Sequence, residues 1–156
     1  MKKRSLGTLL AWLVILAIPA AGGEEMPAGP QFKYRGGTEN LPQGCVGSLE
    51  LASQALTFRC PSGSIAVPYA SIQLMQYRPD LSRQVRNMKL KWQVKPDAVK
   101  PLIGGRRNRY FTVVYGPQGT RAMVLDVSPE TMRPYLAEID LKAGKRVEVM
   151  EVQEYE

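Results

Sequence analysis

The sequence predicts a mostly β domain with one C-terminal α-helix: a small antiparallel barrel of about seven short strands, its open end capped by the helix. Three observations carry that expectation. Between Gly44 and Val127, runs of β-branched and aromatic residues alternate with Gly-, Pro- and Ser-containing turns. From Asn87 to Lys95 apolar and polar residues alternate strictly. After Ser128-Pro129-Glu130 the apolar spacing changes to that of a helix.

Taken in order, the 156-residue chain opens with Lys2, Lys3 and Arg4, then an apolar run from Leu6 to Ala21 broken at Pro19 and closed by Ala20-Ala21-Gly22-Gly23. Residues 1–23 therefore read as a signal peptide cleaved between Ala20 and Gly23. The competing reading is a retained anchor, against which the run falls short of the ~20 residues that cross a bilayer comfortably. No cysteine stands directly at the end of the run, which argues against a lipoprotein anchor, and no later segment reads as membrane-spanning. The expected location is periplasmic or secreted. Without the three signal basics, 18 Lys and Arg face 14 acids, a mildly basic chain of one domain.

Residues 24–43 hold Pro27, Gly29, Pro30, Gly36, Gly37 and Pro42 and read as an irregular leader or linker. The domain is expected over 44–147. Gly44–Leu51 and Ala55–Cys60 read as a hairpin turning at Ala52-Ser53-Gln54. Pairing Leu49 with Leu56 sets Gly47 opposite Phe58 and Cys45 opposite Cys60, all on one side because side chains alternate. An even cysteine count in an exported chain points the same way, to a Cys45–Cys60 disulfide. Ser64–Val67 and Ser71–Tyr77 are strand-like and interrupted at Pro68. Asn87–Lys95 reads as a half-buried strand with Met88, Leu90, Trp92 and Val94 inward, and 96–107 as a loop. Arg109–Tyr115 and Thr120–Val127 flank the turn Gly116-Pro117-Gln118-Gly119.

Ser128, Pro129 and Glu130 supply a capping hydroxyl, a proline in the first turn and an acid near the positive end of the dipole. Met132, Tyr135, Leu136, Ile139 and Ala143 share one face of the helix, and Gly144 stops it. Pro134 is expected to kink the first turn or delay the start. Residues 148–156 form an acidic tail that reads equally as a frayed end or as an added edge strand.

The stretch from Gly44 to Val147 resembles the pleckstrin-homology-like superfold in its bacterial GRAM-like form, a family of uncharacterised exported proteins. The residues carrying the likeness are Gly47-Ser48-Leu49-Glu50-Leu51 with Ala55-Leu56-Thr57-Phe58, then Ile65–Ile72, Arg109-Tyr110-Phe111-Thr112-Val113, and the helix ending at Gly144-Lys145-Arg146-Val147. The resemblance implies a binding module, often for lipid headgroups or peptides, on a fold that hosts many unrelated roles.

The chain has no histidine, which removes imidazole-based triads, zinc sites and acid–base catalysis. With the cysteines bridged, thiol nucleophiles and thiolate metal sites go too. Gly104-Gly105-Arg106-Arg107 lacks the ending and context of a phosphate loop. Glu50, Asp80, Asp97, Asp126 and Glu130 show no recognisable spacing for glycoside hydrolysis. No catalytic residue, metal or cofactor is expected.

Charge is segregated instead. From Arg78 to Arg109 ten basic residues face only Asp80 and Asp97, a local charge of +8, so the rest of the chain past the signal is net acidic. Arg83, Arg86, Lys89, Lys91, Arg106 and Arg107 are the candidate ligand-binding residues. Three readings stand: a solvated strand face that discourages edge pairing, contact with an anionic lipid surface, or an acidic protein or polyanion partner, with the acidic tail covering the patch when unoccupied. Nucleic acid is not expected, since aromatic and basic residues do not interleave on one face. The expected function is an exported non-enzymatic binding module using the basic 78–109 segment. The alternatives are a structural subunit of an envelope assembly, whose tail pairs with a partner's sheet edge, and a hydrolase built on a carboxylate pair.

Overall fold

The computed structural model describes residues 29–90 and 109–150. The signal peptide, most of the alternating stretch up to Lys95, and Lys91, Arg106 and Arg107 lie outside the described residues. The chain is mostly β. Its strands are β1 (Phe32–Gly37), β2 (Val46–Leu51), β3 (Ala55–Cys60), β4 (Gly63–Pro68), β5 (Ile72–Arg78), β6 (Arg109–Tyr115), β7 (Arg121–Val127) and β8 (Glu148–Val149). A short helix, α1 (Arg83–Asn87), follows β5, and the long helix α2 (Pro129–Ala143) follows β7.

One eight-stranded sheet runs in the order β4-β3-β2-β1-β7-β6-β5-β8. Every pairing is antiparallel except β5 with β8. Among the described residues the sheet is not closed, which corrects the barrel expectation: β4 is one edge, and β8 occupies the flank of β5 on the other. It is nonetheless curled, because Phe58, Ile65 and Val67 from one end and Met75, Tyr77 and Phe111 from the other share a single core. The α2 residues Met132 and Ile139 complete that core, with Tyr135, Leu136 and Ala143 packed partly buried against it. Phe32 and Tyr135 meet edge to face at 5.1 Å.

The ends of α2 follow the sequence. Ser128 Oγ accepts from the Thr131 amide at 3.2 Å, and Gly144 adopts the left-handed conformation past the last turn. Pro134 lies inside a helix that starts at Pro129, so the delayed start did not occur. The β6–β7 hairpin also runs as expected, from Arg109 opposite Val127 to Tyr115 opposite Arg121.

Three further expectations need correction. The β2–β3 register pairs Leu49 with Phe58 and Leu51 with Leu56, two residues from the expected pairing. The Ala52 amide donates to Ala55 O at 3.0 Å, leaving Ser53 and Gln54 as a two-residue turn. A shift of two keeps every side chain on its expected face. Extended by one step, it sets Gly47 beside Cys60, and Cys45 reaches Cys60 diagonally in a disulfide with Cα atoms 6.1 Å apart. A bridge of this kind fits an oxidising compartment.

The second correction is β1, which lies inside the expected leader and sits mid-sheet between β2 and β7. Phe32 and Tyr34 are fully buried. A β-carbon on Gly37 would stand 2.0 Å from Ala122 O, so this glycine permits strands to approach and is no linker residue. The third is the start of the expected 87–95 strand, of which 87–90 are described. Asn87 ends α1, and 88–90 make no ladder. Met88 and Leu90 do lie together as alternation requires, packed against a second cluster of Leu81, Val85, Tyr110, Val114, Ala122 and Val124 on the outer face of β6 and β7.

Candidate functional site

The helix α1 begins at a side-chain cap: the Val85 amide donates to Ser82 Oγ at 3.2 Å. Val85 is fully buried in the outer cluster, which fixes the helix against the sheet and turns Arg83 and Arg86 outward. The Ser82 hydroxyl donates in turn to Gln76 Oε1 at 2.6 Å, and Gln76 Nε2 donates to Glu148 Oε2 at 2.6 Å. Gln76 and Ser82 are buried, so this chain of hydrogen bonds meets a desolvation cost that an unpaired amide could not. It ties α1, β5 and β8 into one unit.

That unit walls an open groove of about 520 Å³ lined by Gln76, Arg78, Asp80, Ser82, Arg83, Gln84, Arg86 and Glu148. Three guanidinium groups face two carboxylates. Arg78 lies 3.8 Å from Asp80, a loose ion pair, and the buried Arg78 Nε makes no hydrogen bond among the described residues. Arg83 and Arg86 are exposed and form no ion pair among the described residues. A buried guanidinium donor without a described acceptor, beside two exposed arginines, is what an anion would satisfy.

Of the six residues singled out by charge, Arg83 and Arg86 meet in this groove. Lys89 is described, exposed and outside its lining. Gln76, Ser82 and Glu148 were missed because neutral residues and a distant tail carry no charge-run signal. Arg78 belonged to the basic run without being picked from it. The residues Ser82-Arg83-Gln84-Val85 do hold a cap signal, a hydroxyl followed three positions later by an apolar anchor, which a five-residue helix makes easy to overlook.

Glu148 begins the strip that closes the groove at the chain's end. Val147 is buried and its amide donates to Asp140 Oδ1 at 2.8 Å. Beyond it, among the described residues, β8 pairs Glu148 with Gln76 and Val149 with Tyr77, and the Met150 amide donates to Tyr77 O at 3.1 Å. Arg109 Nη1 donates to Met150 O at 2.9 Å while its guanidinium lies 5.7 Å from the Tyr77 ring centre.

The two carboxylates that line the groove, Asp80 and Glu148, are both exposed, and no buried carboxylate accompanies them. Asp126 is the single buried acid among the described residues, and Arg35 engages it with two nitrogens. The described residues also bring no three metal-ligating side chains together, and include no helix long and apolar enough to cross a membrane. Compared with known proteins, the chain matches no family model and no curated protein sequence.

Proposed function

We propose that the chain is an exported, non-enzymatic binding module, built on a pleckstrin-homology-like plan, that holds an anionic ligand or an anionic membrane surface in the groove between β5, α1 and β8. The observation that carries this reading is the convergence of Arg78, Arg83 and Arg86 on one cleft, with the latter two free of carboxylate partners among the described residues. Guanidinium groups suit carboxylate and phosphate because their planar donors match two oxygens at once. Export is supported by the N-terminal pattern and by the disulfide.

Co-sedimentation of the oxidised protein with phosphatidylglycerol and with neutral vesicles, at low and high salt, and equilibrium binding of polyglutamate test it together. Salt-sensitive binding to an anionic probe, weakened at least about fivefold by Arg83→Gln with Arg86→Gln, is the expected result. Binding that is absent, or indifferent to both substitutions, would refute the groove as the site.

A second reading, a structural subunit of an envelope assembly, draws on β4. Its outer edge is unpaired among the described residues and Gly63–Pro68 contains no charged side chain to discourage a partner strand. A concentration-dependent rise in sedimentation coefficient, abolished by Ala66→Lys, would favour it.

A further inference from the structure

We infer that Glu148 is a built-in competitor for the groove, so that an anion entering the groove displaces Glu148 and releases the β8 strip from β5. This rests on the groove being the anion site. The Glu148 carboxylate lines the same cleft as Arg78, Arg83 and Arg86 and already takes the Gln76 amide at 2.6 Å. It is thus an internal stand-in for the ligand's oxyanion.

The strip that carries it is poorly secured. Two residues pair with β5, the Met150 amide and carbonyl add one hydrogen bond each, and Val149 and Met150 remain 45% and 39% exposed. Over the described residues 148–150 little apolar area is buried, so opening this strip costs far less than unfolding the sheet. The buried Val147, held by Asp140, is the fixed point from which the strip swings. Once Glu148 leaves, Gln76 Nε2 and the nearby guanidinium groups are free for the incoming oxyanion, while Ser82 keeps Gln76 oriented. Ligand occupancy and strip release are then two sides of one linkage: whatever loosens the strip raises affinity by the same factor that the ligand loosens the strip.

Polyglutamate binding to the full chain, measured with hydrogen exchange at the Met150 amide, tests the linkage. Saturating polyglutamate is expected to deprotect that amide. Glu148→Gln is expected to tighten binding up to about tenfold, the factor for a competitor that occupies the site about nine-tenths of the time. Met150→Pro, which removes the hydrogen bond to Tyr77 O without changing any charge, is expected to tighten it as well. A Glu148 acting only through its charge would leave Met150→Pro without effect and the Met150 amide protected, and that result overturns the inference. If both tail variants bind like the wild type while Arg83→Gln with Arg86→Gln weakens binding, the displacement fails and the groove reading stands. If the arginine substitutions are also silent, both fail.

Discussion

The Tyr115 hydroxyl donates to Glu39 Oε1 at 2.6 Å, and Arg121 grips the same carboxylate through Nε and Nη2, each at 2.8 Å. Tyr34 adds a hydrogen bond to the Glu39 carbonyl at 3.1 Å, so one residue in the β1–β2 connection is fastened to β1, β6 and β7. Burial alone would raise the Glu39 carboxyl, but the hydrogen bonds from Arg121 and Tyr115 outweigh it and hold the group below 4.5. A carboxyl whose folded value is depressed stabilises fully above its unfolded value and loses that contribution as pH falls through the folded one. Glu39→Gln is therefore expected to lower neutral-pH stability by about 1–2 kcal/mol and to flatten the decline below pH 4.5. Urea titrations at neutral and acid pH measure both, and parallel acid limbs in the two proteins would sink the assignment.

The alkaline limb belongs to tyrosines. Burial pushes Tyr34 and Tyr77 up to about 12, and burial with the Glu39 hydrogen bond and charge pushes Tyr115 higher still. A phenol raised in the folded state contributes fully below its unfolded value near 10 and loses that contribution as pH climbs through the folded value. Stability should hold up to the unfolded value and fall above it, with tyrosinate absorbance rising together with loss of β circular dichroism. Tyr77→Phe gives up the hydrogen bond to Val127 O at 3.2 Å, costing about 1 kcal/mol, and should soften the alkaline decline. Tyrosinate that forms gradually in a still-folded chain would contradict this account.

These buried groups show what composition hides. The β content, the β6–β7 hairpin, the Cys45–Cys60 pairing and the inner face of α2 were legible because alternation and helical spacing report burial directly. β1 was not, because only Phe32 and Tyr34 alternate before Gly36 and Gly37, and glycine reads as linker whether it frees the chain or lets two strands touch. The β2–β3 register slipped by two because alternation fixes faces but is blind to even shifts, and the tie was decided by a two-residue turn. In the groove, charge pointed to Arg83 and Arg86. Gln76 and Glu148, 72 positions apart, meet only through the pairing of β5 with β8, which no local pattern encodes.

Gly47 and the disulfide form one stabilising device with separable parts. A β-carbon on Gly47 would lie 1.8 Å from Arg59 O and 2.9 Å from Cys60 Cα, contacts with backbone that no rotamer change relieves. Gly47→Ala is expected to cost about 3 kcal/mol by forcing β2 and β3 apart. Cys45→Ser with Cys60→Ser removes a bridge across a separation of 15 residues and is expected to cost about 3 kcal/mol. Denaturation of each variant, oxidised and reduced, separates the effects: Gly47→Ala should remain destabilising after reduction, since the clash is with backbone. A cost that vanishes on reduction would mean the glycine serves the bridge alone.

On the outer face of the sheet, Arg35 holds Asp126 through Nε at 2.8 Å and Nη2 at 2.5 Å, both on Oδ2, while the buried Oδ1 finds no partner among the described residues. The Asp126 side chain is 4% exposed and the Arg35 side chain 33%, so removing the arginine leaves a carboxylate that water reaches poorly. Arg35→Met should therefore cost about 2 kcal/mol, less than a fully buried pair would because the arginine side is partly wet. Asp126 is flanked in register by Lys33 on β1 and Tyr110 on β6, and Lys33 is exposed and already solvated, so it compensates little. Arg35→Met combined with Asp126→Val replaces both partners by apolar groups and should be more stable than Arg35→Met alone, because the uncompensated charge and the orphaned Oδ1 disappear together. A double-mutant cycle on urea midpoints reads the coupling, and two costs that simply add would show that the pair is incidental to the fold.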